Sequence, residues 1–206
     1  MPVLDLMQSM ALAKKHGIPF APSVAVKKES EVGKACRKMR FPVVLKLVSG
    51  KISHKTEARG VVLNVQDEAT ALREFRRLRK LPVFRGVLVQ PMVKGIELIV
   101  GGKWDAQFGP TVLFGLGGVF VEVYQDTSLR ICPLTQADAE EMIDEIKAAP
   151  LLKGYRGVKP VNRKKLVELI LRAGKLMEKE KIAELDLNPV FADDQNVLAV
   201  DARVVR

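Results

Sequence analysis

Three groups of residues have types and spacings suited to chemistry. The first lies in FPVVLKLVSGKISHKTEARGVVLNV, residues 41–65. Lys46 sits inside the apolar, β-branched run Val43–Val48, and a second such run returns at Val61–Val65. An ammonium buried in a strand needs a charged partner. A polyphosphate is one such partner; a place on the solvent face of an edge strand is the other reading open to Lys46. Between the runs lie Ser49, Lys51, Ser53, His54, Lys55, Thr56 and Arg59. Neutral imidazole is a good nucleophile near pH 7, so a loop histidine beside phosphate-binding cations can accept a phosphoryl group. An ordinary surface histidine is the competing reading of His54.

The second group is Gln90, Pro91 and Met92, at the end of GVLVQPM. A chain leaving a strand there exposes backbone groups and a flat apolar side chain, both of use to an adenine ring; a plain strand end is equally open. The third is in IAELDLNPVF and VLAVDARVV. Glu184, Asp186 and Asn188 alternate with Ala183, Leu185 and Leu187, which puts the polar side chains on one face of a strand. Asp201, on the returning strand, is expected across from them. Carboxylate and amide oxygens clustered in this way suit Mg²⁺, which also takes phosphate and water ligands. A solvated sheet face is the alternative.

The elements that must position these groups follow from periodicity and punctuation. The stretch 41–65 reads as strand, polar loop and strand, a hairpin with an anion-holding tip. An amphipathic helix is expected over Leu4–Lys15, stopped by Gly17. A short strand is expected at Val24–Val26, and a helix capped by Ser30 through Met39. Asp67 should cap a helix with Leu72, Phe75 and Leu78 inward and its arginines outward. Gly86–Met92 and Glu97–Val100 read as strands. The composition changes after Gly101-Gly102. GLGG at 115–118 is not the GxGxxG fingerprint, and it runs into VFVEVY, another strand, so a dinucleotide fold is not expected. Glu122 and Asp126 fall on that strand and its exit. Thr135, with Asp138 three residues on, should cap a helix; LLKGYRG reads as loop; Asn162 should cap a long helix. The chain then closes with two strands joined at DDQN.

Bulk properties narrow the function classes. The 206 residues are 48% hydrophobic, enough for a sizeable core. No apolar run is long enough to span a bilayer and no signal peptide opens the chain. Two cysteines without metal-type spacing read as reduced cytosolic thiols. Net charge is +10, and residues 27–103 hold 18 basic against 7 acidic residues, which attracts polyanions. Only 5% of residues are aromatic, and with Phe75 of the basic run REFRRLRK expected inward, aromatics do not interleave with the basic residues as a base-stacking surface requires. A nucleotide or an acidic partner subunit fits this charge better than a nucleic acid.

These motifs, in this order over nearly the whole chain, resemble the ATP-grasp domain of ADP-forming acyl-CoA synthetases, and in particular a free-standing beta subunit related to that of succinyl-CoA synthetase. FPVVLKLVSGKISHKTE, GVLVQPMVKGIELIVG, WDAQFGPTVLFGLGGVFVEVYQDTSLRICPL and ELDLNPV…VDAR carry the likeness. The resemblance implies an ATP-grasp fold of α/β class, one domain whose two α+β lobes clasp a nucleotide. The small lobe is expected at about 20–100, the large lobe at 1–19 plus 101–206. It implies an acid–thiol ligase of the acetate–CoA type, interconverting acyl-CoA, ADP and phosphate with acid, CoA and ATP. It also implies Mg²⁺, a CoA-binding alpha subunit in a hetero-oligomer, and a cytoplasmic location. His54 matches the histidine that relays the phosphoryl group to ADP, and Lys46 the strand lysine on the nucleotide phosphates. Gln90, Met92 and Val93 match the adenine-holding hinge, and Glu97 the nucleotide-binding acid. Asn188 and Asp201 match the metal ligands, with Asp186 a further acid nearby. One departure is Arg59, where the family usually has glycine; it narrows the backbone choices of the histidine loop and adds a bulky cation. Two other readings remain: a non-catalytic nucleotide-binding regulatory subunit, and an ATP-grasp ligase that joins a carboxylate to an amine.

Overall fold

A computed structural model describes residues 2–49, 60–81, 84–118, 126–157 and 159–206. The histidine loop, and with it His54 and Arg59, lies outside the described residues, as does VFVEVY with Glu122. The chain divides into a smaller unit, Asp5–Met7 with Ala21–Val93, and a larger one, Met1–Leu4 with Gln8–Phe20 and Lys94–Arg206. Helix α1 (Leu6–Lys15) stops at Gly17, whose φ of 80° is open to glycine at little cost.

In the smaller unit, β1 (Val24–Val26), β2 (Val43–Ser49), β3 (Val61–Val65) and β4 (Phe84–Pro91) form an antiparallel sheet in the order β1-β4-β2-β3. The hairpin pairing is present, with Lys46 opposite Val61. Helices α2 (Glu29–Met39) and α3 (Glu68–Arg79) pack on one face of the sheet. There Val43, Leu45, Leu47, Val87 and Val89 meet Val32, Cys36, Ala71, Phe75 and Leu78. Asp67 caps α3 by accepting the Thr70 N–H at 2.8 Å. Phe75 meets Phe84 edge to face, with centroids 5.8 Å apart.

The α2 cap differs from expectation. The helix begins at Glu29 with Lys28 as N-cap, so Ser30 is already helical. The Glu31 carboxylate instead accepts the N–H groups of Lys27 and Lys28, at 2.9 and 3.0 Å. A full negative charge answers the partly positive helix start better than a hydroxyl does. The arginines of α3 face outward, and Arg76 engages Glu29 and Arg77 engages Glu74; in the opposite sense, Glu68 of α3 engages Arg37 of α2.

In the larger unit, β5 (Ile96–Asp105), β6 (Gly109–Leu116), β7 (Thr127–Ile131), β8 (Glu184–Ala192), β9 (Val197–Ala199) and β10 (Arg203–Val205) form an antiparallel sheet. Its order is β10-β8-β5-β6-β7, with β9 also on β8. The glycine pair at 101–102 marks no boundary, since β5 runs through it. It allows close packing: a Cβ on Gly102 would come within 2.7 Å of the Met177 side chain. Helices α4 (Gln136–Glu145) and α6 (Arg163–Glu180) carry the Thr135 and Asn162 caps read from the sequence. LLKGYRG is not wholly loop, because the four-residue α5 (Ala149–Leu152) takes in its leucines. Helix α6 buries Leu166, Leu169, Ile170, Ala173, Leu176 and Met177, a stripe of helical period.

Asp144 at the end of α4 bonds Arg163 and Lys153, which hold its pKa at about 2. Asp126 accepts the N–H groups of Lys147 and Ala148, which makes it a backbone clamp. Burial pushes the thiols of Cys36 and Cys132 up to about 11. Among the described residues, no helix is long and apolar enough to cross a membrane.

Candidate functional site

The candidate residues fall into two sets, one in each unit. In the smaller unit, strand order decides the environment of Lys46. β2 lies between β4 and β3, so Lys46 is on an interior strand and only 5% exposed. That removes the edge-strand reading. Because side chains alternate along a strand, Val43, Leu45 and Leu47 face the helices while Val44, Lys46 and Val48 face away. On β4, Leu88 lies opposite Lys46 and Gln90 opposite Val44. Lys46 and Gln90 therefore share the helix-free face as diagonal neighbours, a relation that spans about 7–8 Å.

Gln90 is 1% exposed, and among the described residues its Nε2 has no hydrogen-bond partner. A buried N–H without an acceptor costs on the order of 1–3 kcal/mol, which an acceptor on a ligand recovers. Met92 and Val93 follow at the strand exit, both half-buried. The Met92 N–H is already used, donating to the Pro42 carbonyl at 3.1 Å. A ring docking at this exit must find its backbone donor elsewhere.

In the larger unit, β8 alternates as the sequence implies: Leu185 and Leu187 are buried, while Glu184, Asp186 and Asn188 are half-exposed. The pairing with β5 then slips. Leu98 faces Val190 but Val100 faces Leu187, so β8 bulges at Asn188-Pro189. After the bulge Val190 and Ala192 point inward, and Asn188 is set apart from the regular pleat.

The expected single returning strand is two. β9 pairs with 190–192 and β10 with 184–186. The register is nevertheless continuous: Ala199 faces Val190 and Arg203 faces Asp186, so Asp201, in the gap, falls opposite Asn188. The Val200 N–H donates to the Pro189 carbonyl at 3.2 Å and ties gap to bulge. Asp186 lies opposite Gly101 on β5, one position from Gly102. Since α6 packs over Gly102, this polar group is on the other face of the sheet.

Burial raises the pKa of Asp186, and the negative charge of Asp201 raises it further; Arg203 opposes both. One Asp186 oxygen, Oδ1, is buried and has no hydrogen-bond partner among the described residues. Two neighbouring carboxylates with an orphaned oxygen want a cation. Among the described residues, no group of three or more His, Cys, Asp or Glu could hold a metal unaided. Asp186, Asn188 and Asp201 thus supply a partial, all-oxygen set that fits Mg²⁺, which fills its octahedron with phosphate and water.

Glu97 stands apart from this group, exposed on β5 opposite Phe191. A side chain at Gly118 would meet its carboxylate at 2.5 Å, and Gly118 has a φ of 65°. The GLGG turn is thereby shaped around Glu97. Sequence reasoning passed over Arg203. It lies two residues after Asp201, a spacing that puts both on one face of a strand.

A family model for the ATP-grasp domain matches residues 2–205. The beta subunit of ADP-forming acetate–CoA ligase I from Pyrococcus furiosus is 41% identical, over 96% of this chain and 89% of that subunit. The chain belongs to the ATP-grasp family, in its ADP-forming acyl-CoA synthetase branch. ADP-forming acetate–CoA ligase II from Archaeoglobus fulgidus is 45% identical over 96% of this chain, which spans only 29% of that protein's length. Among solved structures, acetyl-coenzyme A synthetase 1 from Ca. Korarchaeum cryptofilum, with coenzyme A and Ca-AMPCP, superposes with a TM-score of 0.91. It is 41% identical, and the match covers 99% of this ATP-grasp chain and 93% of the other. Another structure of the same enzyme holds Mg-AMPPCP, with a phosphohistidine segment pointing towards the nucleotide site; the TM-score is 0.83 at 39% identity, over 97% of this chain and 91% of the other.

Proposed function

We propose that this ATP-grasp domain is the nucleotide-binding beta subunit of an ADP-forming acyl-CoA synthetase, which converts acyl-CoA, ADP and phosphate to a carboxylic acid, CoA and ATP. The observation that carries the reading is the set Asp186, Asn188 and Asp201, brought together by a bulge and a strand gap around an orphaned carboxylate oxygen. A complete acyl-CoA synthetase also needs a CoA site, which we assign to a separate alpha subunit, as the beta-subunit relatives suggest.

Phosphoryl transfer needs alignment and charge neutralisation more than covalent help. Lys46, held on an interior strand, supplies a fixed positive charge to the phosphates. Gln90 offers its free N–H to the base, and Val93 is the next backbone position after the occupied Met92 amide. Asn188 and Asp201, with Asp186, hold Mg²⁺, which neutralises charge on the transferring phosphoryl group. His54 divides the transfer into two local steps. An imidazole nitrogen bonds to phosphorus as the bond to the partner's donor breaks; the terminal oxygen of ADP then displaces the imidazole.

The test is to mix the chain with a CoA-binding alpha subunit, acetyl-CoA, Mg-ADP and phosphate. ATP should form, with acid-labile phosphate on the protein as an intermediate. His54→Ala should lower ATP formation at least 10³-fold while leaving Mg-ADP binding within about twofold, in line with the loss of a covalent catalyst. Unchanged ATP formation overturns the relay. Arg59, where the family usually has glycine, supports the alternative of a regulatory nucleotide-binding subunit. Mg-ADP binding with no phosphorylation of the chain would favour it.

A further inference from the structure

Resting on the nucleotide-binding reading above, we infer that Arg203 is a phosphate-binding residue that grips the diphosphate of ADP from beside the metal ligands. Arg203 Nη1 donates to Glu184 Oε2 at 3.0 Å. That bond pins one corner of the fork and leaves the Nε–Nη2 edge. This is the edge that binds a carboxylate or phosphate side-on through two parallel N–H donors. Arg203 Nε is buried, and among the described residues it has no hydrogen-bond partner.

The acid across the strand pair makes this more than an incidental vacancy. Asp186 lies directly across from Arg203 in the β8–β10 register, so the two side chains are on one face. Were Arg203 there only to balance the acids of β8, its free edge would close on Asp186. Instead Nε and Asp186 Oδ1 are both buried and, among the described residues, both without a hydrogen bond. An unmatched donor and an unmatched acceptor, facing each other across adjacent strands, mark a place for something that is anionic towards the arginine and cationic towards the aspartate. A magnesium–diphosphate is such a ligand. The cation side belongs to Asp186, Asn188 and Asp201, and the diphosphate oxygens that complete its octahedron come within reach of Arg203. The register is the same on both sides of the gap at Asp201, which fixes Arg203 relative to the ligand set, so the arginine is preorganised for the ligand.

The role differs from that of Lys46. A lysine on a sheet interior presents a point charge, whereas an arginine edge recognises two oxygens of fixed separation. The loss of Arg203 should therefore be felt by the diphosphate and not by the rest of the nucleotide.

The experiment is isothermal titration of the full chain with Mg-ADP and with AMP, which lacks the β-phosphate. The variants are Arg203→Gln, Arg203→Lys and, as a control on the pinning bond, Glu184→Gln. Arg203→Gln should weaken Mg-ADP at least tenfold and change AMP less than twofold. Arg203→Lys should recover little of the loss, because an ammonium lacks the fork. Glu184→Gln should fall between Arg203→Gln and wild type for Mg-ADP. Mg-ADP affinity unchanged in Arg203→Gln overturns the inference and leaves the nucleotide-binding reading intact. Equal losses for ADP and AMP also overturn it, since they signal a general structural role. A wild-type chain that fails to bind Mg-ADP overturns the nucleotide-binding reading itself. Should Arg203→Gln fail to fold, Arg203→Lys reads the same ADP-to-AMP contrast: a selective loss for ADP supports the inference and none overturns it.

Discussion

The two units answer the same problem with opposite kinds of backbone. In the smaller unit the candidate residues sit on a regular sheet. β2 pairs along its length with β4 and in part with β3, and every residue of it is buried. In the larger unit they sit where regularity fails, at the bulge of β8 and the gap between β9 and β10. On the function proposed above, the difference follows from what each set has to do. One cation aimed at a phosphate needs only a fixed, desolvated anchor, and a pleated interior strand supplies it. Oxygen ligands for one metal must converge, and side chains on a perfect pleat stand parallel. A bulge re-aims one side chain without dismantling the sheet.

The largest effect on this comparison should come from removing the support under β2. Phe75 is fully buried against Leu45 and Leu47 of the core, and it contacts Phe84. Phe75→Ala should destabilise the smaller unit by about 3–5 kcal/mol. Urea denaturation followed by circular dichroism measures it; a loss below about 1 kcal/mol would mean that β2 is not held by this core.

A smaller and more specific effect should separate the two sets. Lys46→Met should weaken ADP binding on the order of tenfold whether or not Mg²⁺ is present, as expected for loss of a direct charged contact. Asp201→Asn should weaken it by a similar factor in Mg²⁺ and scarcely at all in EDTA. Titration calorimetry under both conditions decides. Identical metal dependence for the two variants would break the division of labour.

The smallest effect concerns the scaffold of the larger unit. Asp144 has a folded pKa of about 2, set first by its hydrogen bond to Arg163 and then by Lys153. Its unfolded value is near 3.8. A depressed pKa means that the folded state binds protons less readily than the unfolded chain. The contribution is therefore complete above about pH 4 and is lost as pH falls towards 2. The side chain is 44% exposed, so solvent screening keeps the effect below about 1 kcal/mol. Asp144→Asn should lower the melting temperature slightly at pH 6 and converge with wild type near pH 2.

Local signals were legible from residues alone. Asp67, Thr135 and Asn162 cap their helices through bonds to backbone N–H groups three residues away, so nothing beyond the local stretch had to be known. Ser30 failed because Glu31 competed for the same helix start. Glu184, Asp186 and Asn188 could be placed on one face because a strand has a period of two. The break between β9 and β10 was not legible, since VLAVDARVV reads as one strand. Whether β2 was edge or interior was not legible either. That depends on β4, whose partner residues lie about 40 positions away in sequence. Arg203 was within reach, two residues beyond Asp201, but an arginine on a strand carries no sign of what it faces.

By itself, then, the sequence determined the element types, the helix caps, the basic block and the alternation that aligns three polar residues on one strand. These follow from interactions spanning a few residues, or from counting. Only the tertiary structure decided that Lys46 is sealed in a sheet interior, that Asp201 falls opposite Asn188, and that Arg203 and Asp186 face each other with donor and acceptor unmatched. Each of those depends on strand order and register, which are set by burying side chains from distant segments together and which no short window of sequence contains.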